Sequence, residues 1–251
     1  MEEKKLILLT GTIDPSFFKD KKSGEGVNVV FANAEQRFLQ YSEVIERFIK
    51  ESAFEYIVFA ENTDFPFEAE KYEKMASLYN KKFEFLRCNL NEKEILQMRK
   101  KGKSFGEGRL ISYAVENSKL ISKVETIYKI TGRVFLENSK LVVAYGDKIE
   151  NQFIVKNKIG WANTEFFKVN VDDFKRYFLG KESLTDDFAE NSIERVYYSL
   201  IKDNKLECKG FRVYPKLHGR VASATNRNYD KSTISLLLCN IASWLGIFDL
   251  K

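Results

Sequence analysis

The stretch Leu6-Ile7-Leu8-Leu9-Thr10-Gly11-Thr12 sets four consecutive apolar residues against a hydroxyl–glycine–hydroxyl ending. A short apolar run bounded by a turn signal reads as a buried strand. The same phrase recurs along the chain. Tyr56-Ile57-Val58-Phe59-Ala60 stops at Glu61-Asn62, Phe83-Glu84-Phe85-Leu86-Arg87-Cys88 makes a third strand, and Thr126-Ile127-Tyr128-Lys129-Ile130 ends at Thr131-Gly132-Arg133. Helical stretches separate them. Between the first two strands, Phe38, Tyr41, Ile45, Phe48 and Ile49 recur at helical spacing over 34–51, and further helices are expected over 67–80 and from Leu110 to Ser118. Strand alternating with helix is the pattern of an α/β fold, a mainly parallel sheet with helices on both faces. The second half is less regular, with a strand expected from Phe166 to Val171, a helix from Asn191 to Lys202, and an apolar segment at 211–215. No Pro/Gly/Ser-rich linker or internal repeat divides it. One domain over 1–251 is expected, with halves meeting near residue 140.

Composition narrows the chemistry. With 44% hydrophobic and 31% charged residues over 251 positions, and only 13 Gly and 3 Pro, the disordered and collagen-like classes are excluded. The 41 basic and 36 acidic residues leave +5, spread thinly among opposite charges, which does not point to nucleic acid. Cys88, Cys208 and Cys239 have no CxxC spacing, which excludes a disulfide framework and a structural zinc site and fits a reducing cytoplasm. With His218 the sole histidine, a two-His zinc site is excluded, and a Ser-His-Asp triad has one residue to be built on. The apolar run at Leu6–Leu9 is too short for a signal peptide, so a cytoplasmic protein is expected.

In an open sheet of this kind, ligands bind at the carboxyl ends of the strands. Those ends carry hydroxyls, glycines and an Arg, without His, and suit a phosphate-bearing ligand. Gly106-Glu107-Gly108 is read as a loop before a helix, where free N–H groups and the helix's positive end face an anion, with Lys101, Lys103 and Arg109 around it. A plain solvated turn is the competing reading. Arg133, directly after a buried strand and a Gly, offers a planar fork to a diphosphate; otherwise it pairs with a carboxylate at the core edge.

The order of these pieces (strand–Thr-Gly-Thr, strand–Glu-Asn, Gly-Glu-Gly, then Tyr-Lys-Ile-Thr-Gly-Arg) resembles bacterial GT-A-type glycosyltransferases of capsule, lipopolysaccharide or exopolysaccharide synthesis. The resemblance covers roughly residues 5–140, with a weaker tail at 160–230. It implies a GT-A-like fold, a nucleotide-sugar donor, most readily UDP-linked, and a glycan or lipid-linked acceptor. It further implies that Thr10, Gly11, Thr12, Glu61 and Asn62 hold the nucleoside, and that the segment Gly106, Glu107, Gly108 and Arg109 lies over the sugar or diphosphate. Most such enzymes carry Asp-x-Asp at the end of the fourth strand to bind a divalent metal. Here that place reads Lys129-Ile130-Thr131-Gly132-Arg133, and Asp-x-Asp occurs nowhere in the chain. The departure argues against a metal cofactor and puts Arg133, with Lys129, against the leaving diphosphate.

Inverting transfer also needs a base for the acceptor hydroxyl. Several such families place a Glu-Asp pair at the start of a helix; here the pair is Glu190-Asn191, so Glu190 takes that role by resemblance, with Glu194 one turn on as the second candidate. Both also read as acids complementing a helix dipole. Asp172-Asp173 and Asp186-Asp187 are further alternatives. The segment Pro215 to Arg227 is similar to loops that close over the donor diphosphate, which would bring His218 or Arg220 to phosphate.

Two readings compete with glycosyl transfer. A sugar-1-phosphate nucleotidyltransferase shares the layered architecture but expects a Gly-rich, basic loop after the first strand, which Thr10-Gly11-Thr12-Ile13-Asp14-Pro15 does not supply. A nucleic-acid-binding or scaffold protein would use the charges at 99–103 and the aromatics. Finally, Ser232 to Phe248 carries no charge. It is short for a membrane span and is read first as a helix buried in the fold, and otherwise as an oligomer or membrane-surface contact at the inner face of the membrane.

Overall fold

Every residue of the first strand, β1 (Leu6–Gly11), is buried, and alternate side chains feed opposite cores. Leu6 and Leu8 join one cluster, Ile7 and Leu9 the other. This two-sided burial is why the strand reads as a continuous apolar run. The computed structural model describes residues 4–19, 33–146, 148–219 and 228–250.

α1 (Ala34–Glu51) starts where the Asn33 side chain accepts from Gln36 N at 2.8 Å. It buries Arg37, Tyr41, Val44, Ile45, Phe48 and Ile49, a stripe at helical spacing. β2 (Tyr56–Glu61), α2 (Ala69–Leu78) and β3 (Lys82–Arg87) follow. α3 (Glu92–Lys101) opens with a reciprocal Asn91–Glu94 capping box. Gly102, at φ +95°, turns it directly into α4 (Lys103–Asn117). β4 (Thr126–Thr131) completes the expected four strands. The less regular half holds β5 (Val134–Leu136), α5 (Ser139–Gly146), β6 (Val155–Lys156), β7 (Trp161–Ala162) and β8 (Phe166–Asn170). It continues with α6 (Val171–Asp173), which runs into a wider turn to Phe178, then α7 (Ile193–Asp203), β9 (Leu217–Gly219) and α8 (Thr233–Trp244).

The main sheet has the order β3-β2-β1-β4-β8. β1, β2, β3 and β4 run parallel, in registers such as Leu9↔Phe59 and Thr10↔Thr131, and β8 closes the edge antiparallel to β4. One face carries α4 and α7, through Ile111, Ala114, Val196 and Ile201; the other carries α1 and α2, through Ile45, Phe48, Tyr72 and Ala76. The α/β class and the mainly parallel sheet therefore stand as expected. Chain order reverses between β1 and β4, the switch point at which open sheets of this kind leave a crevice.

Two expectations are corrected. The helix read from Leu110 begins seven residues earlier, at Lys103, so Gly106-Glu107-Gly108 lies inside α4 and forms no loop before it. The apolar segment 232–248 is not buried in the fold. α8 lies on the surface, with Ile234, Leu237, Leu238, Ile241 and Trp244 between 49 and 74% exposed. The reason is geometric, since the earlier helices already cover both sheet faces. No described helix is long and apolar enough to cross a membrane.

Candidate functional site

A cleft of about 450 Å³ opens at the carboxyl ends of β1 and β4. Its floor is Thr10-Gly11-Thr12 and Thr131. The two strand ends are drawn together where Gly132 N donates to Thr10 O at 2.8 Å; a Cβ on Gly132 would stand 2.9 Å from that oxygen, so the approach requires glycine.

Two predicted residues shape this floor from behind without lining it. Asn62 accepts from Thr12 Oγ1 at 2.8 Å. The fully buried Glu61 accepts from Ile13 N at 3.0 Å and Thr63 N at 2.9 Å, and it pairs with Arg87. Burial raises the Glu61 carboxyl, against the pull of those hydrogen bonds and of Arg87. Its place is that of a fastener for the loop after β1.

The cationic wall comes from two arginines. Arg133 lines the cleft, only 5% exposed, and its Nη1 donates to Gln40 Oε1 at 3.0 Å. Its Nε is buried with no hydrogen-bond partner among the described residues. No carboxylate of the described residues pairs with it, so the core-edge ion pair weighed from sequence is absent there. Arg37, which sequence reading passed over, stands beside it. Arg37 Nε donates to Thr12 O at 2.8 Å and Nη2 to Tyr41 Oη at 3.2 Å. Burial lowers the Arg37 guanidinium, and the neighbouring Arg133 charge adds to this against the pull of Tyr41. The signal in the sequence was a charge one turn before Tyr41 on an otherwise apolar stripe.

The opposite wall is acidic. Glu107, on α4, pairs with Lys129, whose fully buried Nζ also donates to Thr164 O at 2.7 Å. Lys129 is thereby committed to Glu107 and is not among the residues lining the cleft. Glu165, just before β8, accepts from Tyr229 Oη at 2.6 Å. Burial, then Glu165, pushes the Tyr229 phenol far up. Glu194 lies in the first turn of α7, on the cleft. Burial raises its carboxyl, and the Glu107 charge adds to the rise. Trp161 and Tyr229 line the same cavity.

The remaining predicted residues lie elsewhere. The amino terminus of α4 is already filled: Ser104 N donates to Asp187 Oδ2 at 3.0 Å and Ser104 Oγ bonds the same carboxylate, so the expected anion seat holds a side chain of this protein. Gly106 lines the cleft; Gly108 packs against Glu182 and Ile193. Arg109 turns away, its Nε 2.7 Å from Glu94 and Nη1 3.6 Å from Glu116. Lys101 donates to Ser183 O, whereas Lys103 stands exposed at the cleft mouth. Glu190 is exposed, off the cleft, at φ +57° in the turn bridged by Asp186 and Asn191. Asp186 caps Phe188 and Ala189 N–H, Asp172 is solvated, and Asp173 accepts from Asn151 at 2.7 Å. His218 sits on β9, 2.6 Å from Asp230 Oδ1, and does not line the cleft. Arg220 and the segment 220–227 lie outside the described residues.

No protein-family model matches the sequence, and no curated protein matches it. Among solved structures, a provisionally assigned glucose-1-phosphate thymidylyltransferase from Bacillus anthracis, in complex with a sucrose, is similar over 96% of this chain and 95% of its own, at TM-score 0.46 and 11% identity. A provisionally assigned nucleotide-diphospho-sugar transferase from Desulfovibrio desulfuricans is similar over 82% and 79%, at TM-score 0.43 and 12% identity. An active-site mutant of LgtC is similar over 78% and 69%, at TM-score 0.43 and 8% identity.

Proposed function

We propose that the cleft binds a nucleotide-sugar, UDP-linked, and transfers its sugar to a hydroxyl of a glycan or lipid-linked acceptor. The observation that carries this reading is Arg133: a guanidinium buried in a cleft at the switch point, its Nε without a hydrogen-bond partner among the described residues and a second arginine beside it. Leaving a buried donor unmade is costly. A diphosphate supplies the missing acceptor oxygens and two negative charges to planar forks. Thr10-Gly11-Thr12 then take the nucleoside side, with Asn62 and Glu61 holding that loop.

The residues at the end of β4 do not fit the divalent metal of the related enzymes. A guanidinium stands where carboxylates would, and the described residues contain no group of three or more acids, Cys or His arranged around an ion. In the reaction we propose, the acceptor oxygen attacks the anomeric carbon while the bond from that carbon to the diphosphate oxygen breaks. The bonding pair leaves on the diphosphate, where Arg133 and Arg37 receive the charge. The acceptor proton passes to Glu194, whose carboxyl is held by burial above the ordinary carboxylate range, which favours its taking a proton. Lys129 acts indirectly, by holding Glu107.

Calorimetry with UDP and GDP tests the reading. Binding that persists in EDTA and falls at least tenfold in Arg133→Gln is the expected result; no binding by either nucleotide overturns it. The nucleotidyltransferase alternative predicts release of pyrophosphate from a nucleoside triphosphate and a sugar 1-phosphate, and it is weakened by the missing basic loop after β1.

For localisation, we read the exposed stripe of α8 as a contact element, seated on a membrane surface or a second copy of the chain. The helix begins four residues after Tyr229, which lines the cleft, where a lipid-linked acceptor would approach.

A further inference from the structure

The cleft takes guanidiniums from α1 and the end of β4 and carboxylates from α4, α7 and the residue before β8. We infer that the sugar carried into it is neutral or amino-bearing and that acidic sugars are rejected. This rests on the nucleotide-sugar reading above and adds the class of sugar.

Three carboxylates, Glu107, Glu165 and Glu194, line the cleft; Glu107 and Glu194 stand on α4 and α7, over the sheet face opposite the one that α1 covers with Arg37. Among the described residues one cation pairs with them, Lys129 with Glu107, while Lys103 stands exposed at the cleft mouth. Glu165 is held by neutral donors, Tyr229 Oη at 2.6 Å and Asn163 Nδ2 at 3.3 Å, and no described cation pairs with it. Glu194 likewise has no ion-pair partner among the described residues. Among the described residues this group of carboxylates therefore keeps an excess of negative charge. Tyr229, on the same cleft, ties this group to the loop that follows β9 through its hydroxyl on Glu165.

With the diphosphate on the arginines, the sugar points to these carboxylates, where the rings of Trp161 and Tyr229 offer apolar faces for a pyranose. Carboxylates accept hydrogen bonds from sugar hydroxyls and pair with an ammonium. A uronate would add a fourth carboxylate to a partly desolvated pocket, a like-charge juxtaposition that selects strongly against the wrong ligand.

The test is calorimetry at pH 7.5 with matched donors: UDP, UDP-glucose, UDP-glucosamine and UDP-glucuronate, repeated with GDP, GDP-mannose and GDP-mannuronate. In the base series that binds, the uronate is expected to be at least about tenfold weaker than its neutral counterpart. The glucosamine donor is expected to bind at least as tightly as the glucose donor. Glu165→Gln, which keeps an acceptor for Tyr229, should narrow the gap between neutral and acidic sugar while leaving the affinity for the bare nucleotide unchanged, which also reports that the variant is folded. A uronate that binds the wild type as well as the neutral sugar overturns the inference and leaves the nucleotide-sugar reading standing. So does a gap that the variant does not narrow. Failure of every nucleotide and nucleotide-sugar to bind overturns both together.

Discussion

Arg37 and Arg133 share one aromatic ring: each guanidinium carbon lies 5.9 Å from the centroid of Tyr41. The ring's negative face and the Thr12 carbonyl both lie against Arg37. Arg133 Nε is buried with no hydrogen-bond partner among the described residues, and an anion would supply one. Inorganic diphosphate should raise the melting temperature, and at about 100 times its dissociation constant the gain is about 2.7 kcal/mol. Arg133→Gln should weaken UDP or diphosphate binding by about 10- to 100-fold, the scale of a lost charge-assisted pair. Its own melting temperature should hold or rise, because a buried like charge has gone. Arg133→Lys keeps the charge but lacks the fork and should fall between. A diphosphate affinity unchanged in Arg133→Gln would contradict the site.

Glu194 couples pH to both stability and rate. Its carboxyl is raised in the folded protein by burial and by Glu107, so protonation favours folding. Below the ordinary carboxylate value, near 4.3, both folded and unfolded states are protonated and no penalty is felt. As pH climbs through the raised folded value, the wild type loses stability relative to a neutral side chain, about 1.4 kcal/mol for each unit separating the two. Glu194→Gln should therefore melt higher than wild type at pH 7.5, and the difference should vanish toward pH 4. Transfer should rise over the same pH limb in wild type, and the variant should lose about 10²- to 10⁴-fold in kcat with donor affinity kept. Equal melting curves at pH 7.5 would show that the carboxyl is not raised.

How much of this was legible from the chain follows from which forces act locally. The four parallel strands were legible because burial on both faces writes them as unbroken apolar runs, and their ends at Thr10-Gly11-Thr12 and Thr131-Gly132-Arg133 could be read as a shared edge. Glu194 could be picked out as one turn into a helix. Gly106-Glu107-Gly108 misled, since glycines read as a turn, while their helix is held by Asp187, more than eighty residues away in sequence. Arg37 looked like any solvated helix charge, because nothing local says which helical face meets Tyr41 and the sheet. Glu165 and Tyr229 meet only through the long return of the second half. The uncharged 232–248 segment read as core because sequence does not reveal that both faces of the sheet are already taken.

Asp187 gives that long-range contact a measurable weight. Its carboxylate satisfies the first turn of α4, through Ser104 N and Oγ. Asp187→Ala should cost about 1–2 kcal/mol, the range of a lost helix cap, and lower the melting temperature by several degrees. Asp187→Asn should recover part of that. Neither should alter UDP affinity more than a few-fold if the diphosphate lies on the arginines. A large gain in nucleotide affinity in Asp187→Ala would instead make the start of α4 the anion seat, with Asp187 its occupant in the free protein.

α8 supplies the last prediction. Its exposed residues Ile234, Leu237, Leu238, Ile241 and Trp244 follow helical spacing, and the helix is fixed to the body by Asn240, whose Oδ1 accepts from Tyr214 N at 2.9 Å. Contiguous apolar surface of this kind marks a contact with lipid or protein. Replacing Leu237 and Ile241 together by Gln removes apolar area that the fold itself does not use, so the melting temperature should change by no more than a few degrees. Trp244 at the far end suits a lipid headgroup boundary, and Lys231 at the near end suits an anionic one. The wild type should therefore sediment with vesicles of anionic phospholipid and release in the double variant, while the neutral-vesicle control binds more weakly. If the stripe seats a second copy instead, sedimentation velocity will show a dimer that the same double variant dissociates. A wild type that stays monomeric and ignores both kinds of vesicle would remove α8 from the functional surface altogether.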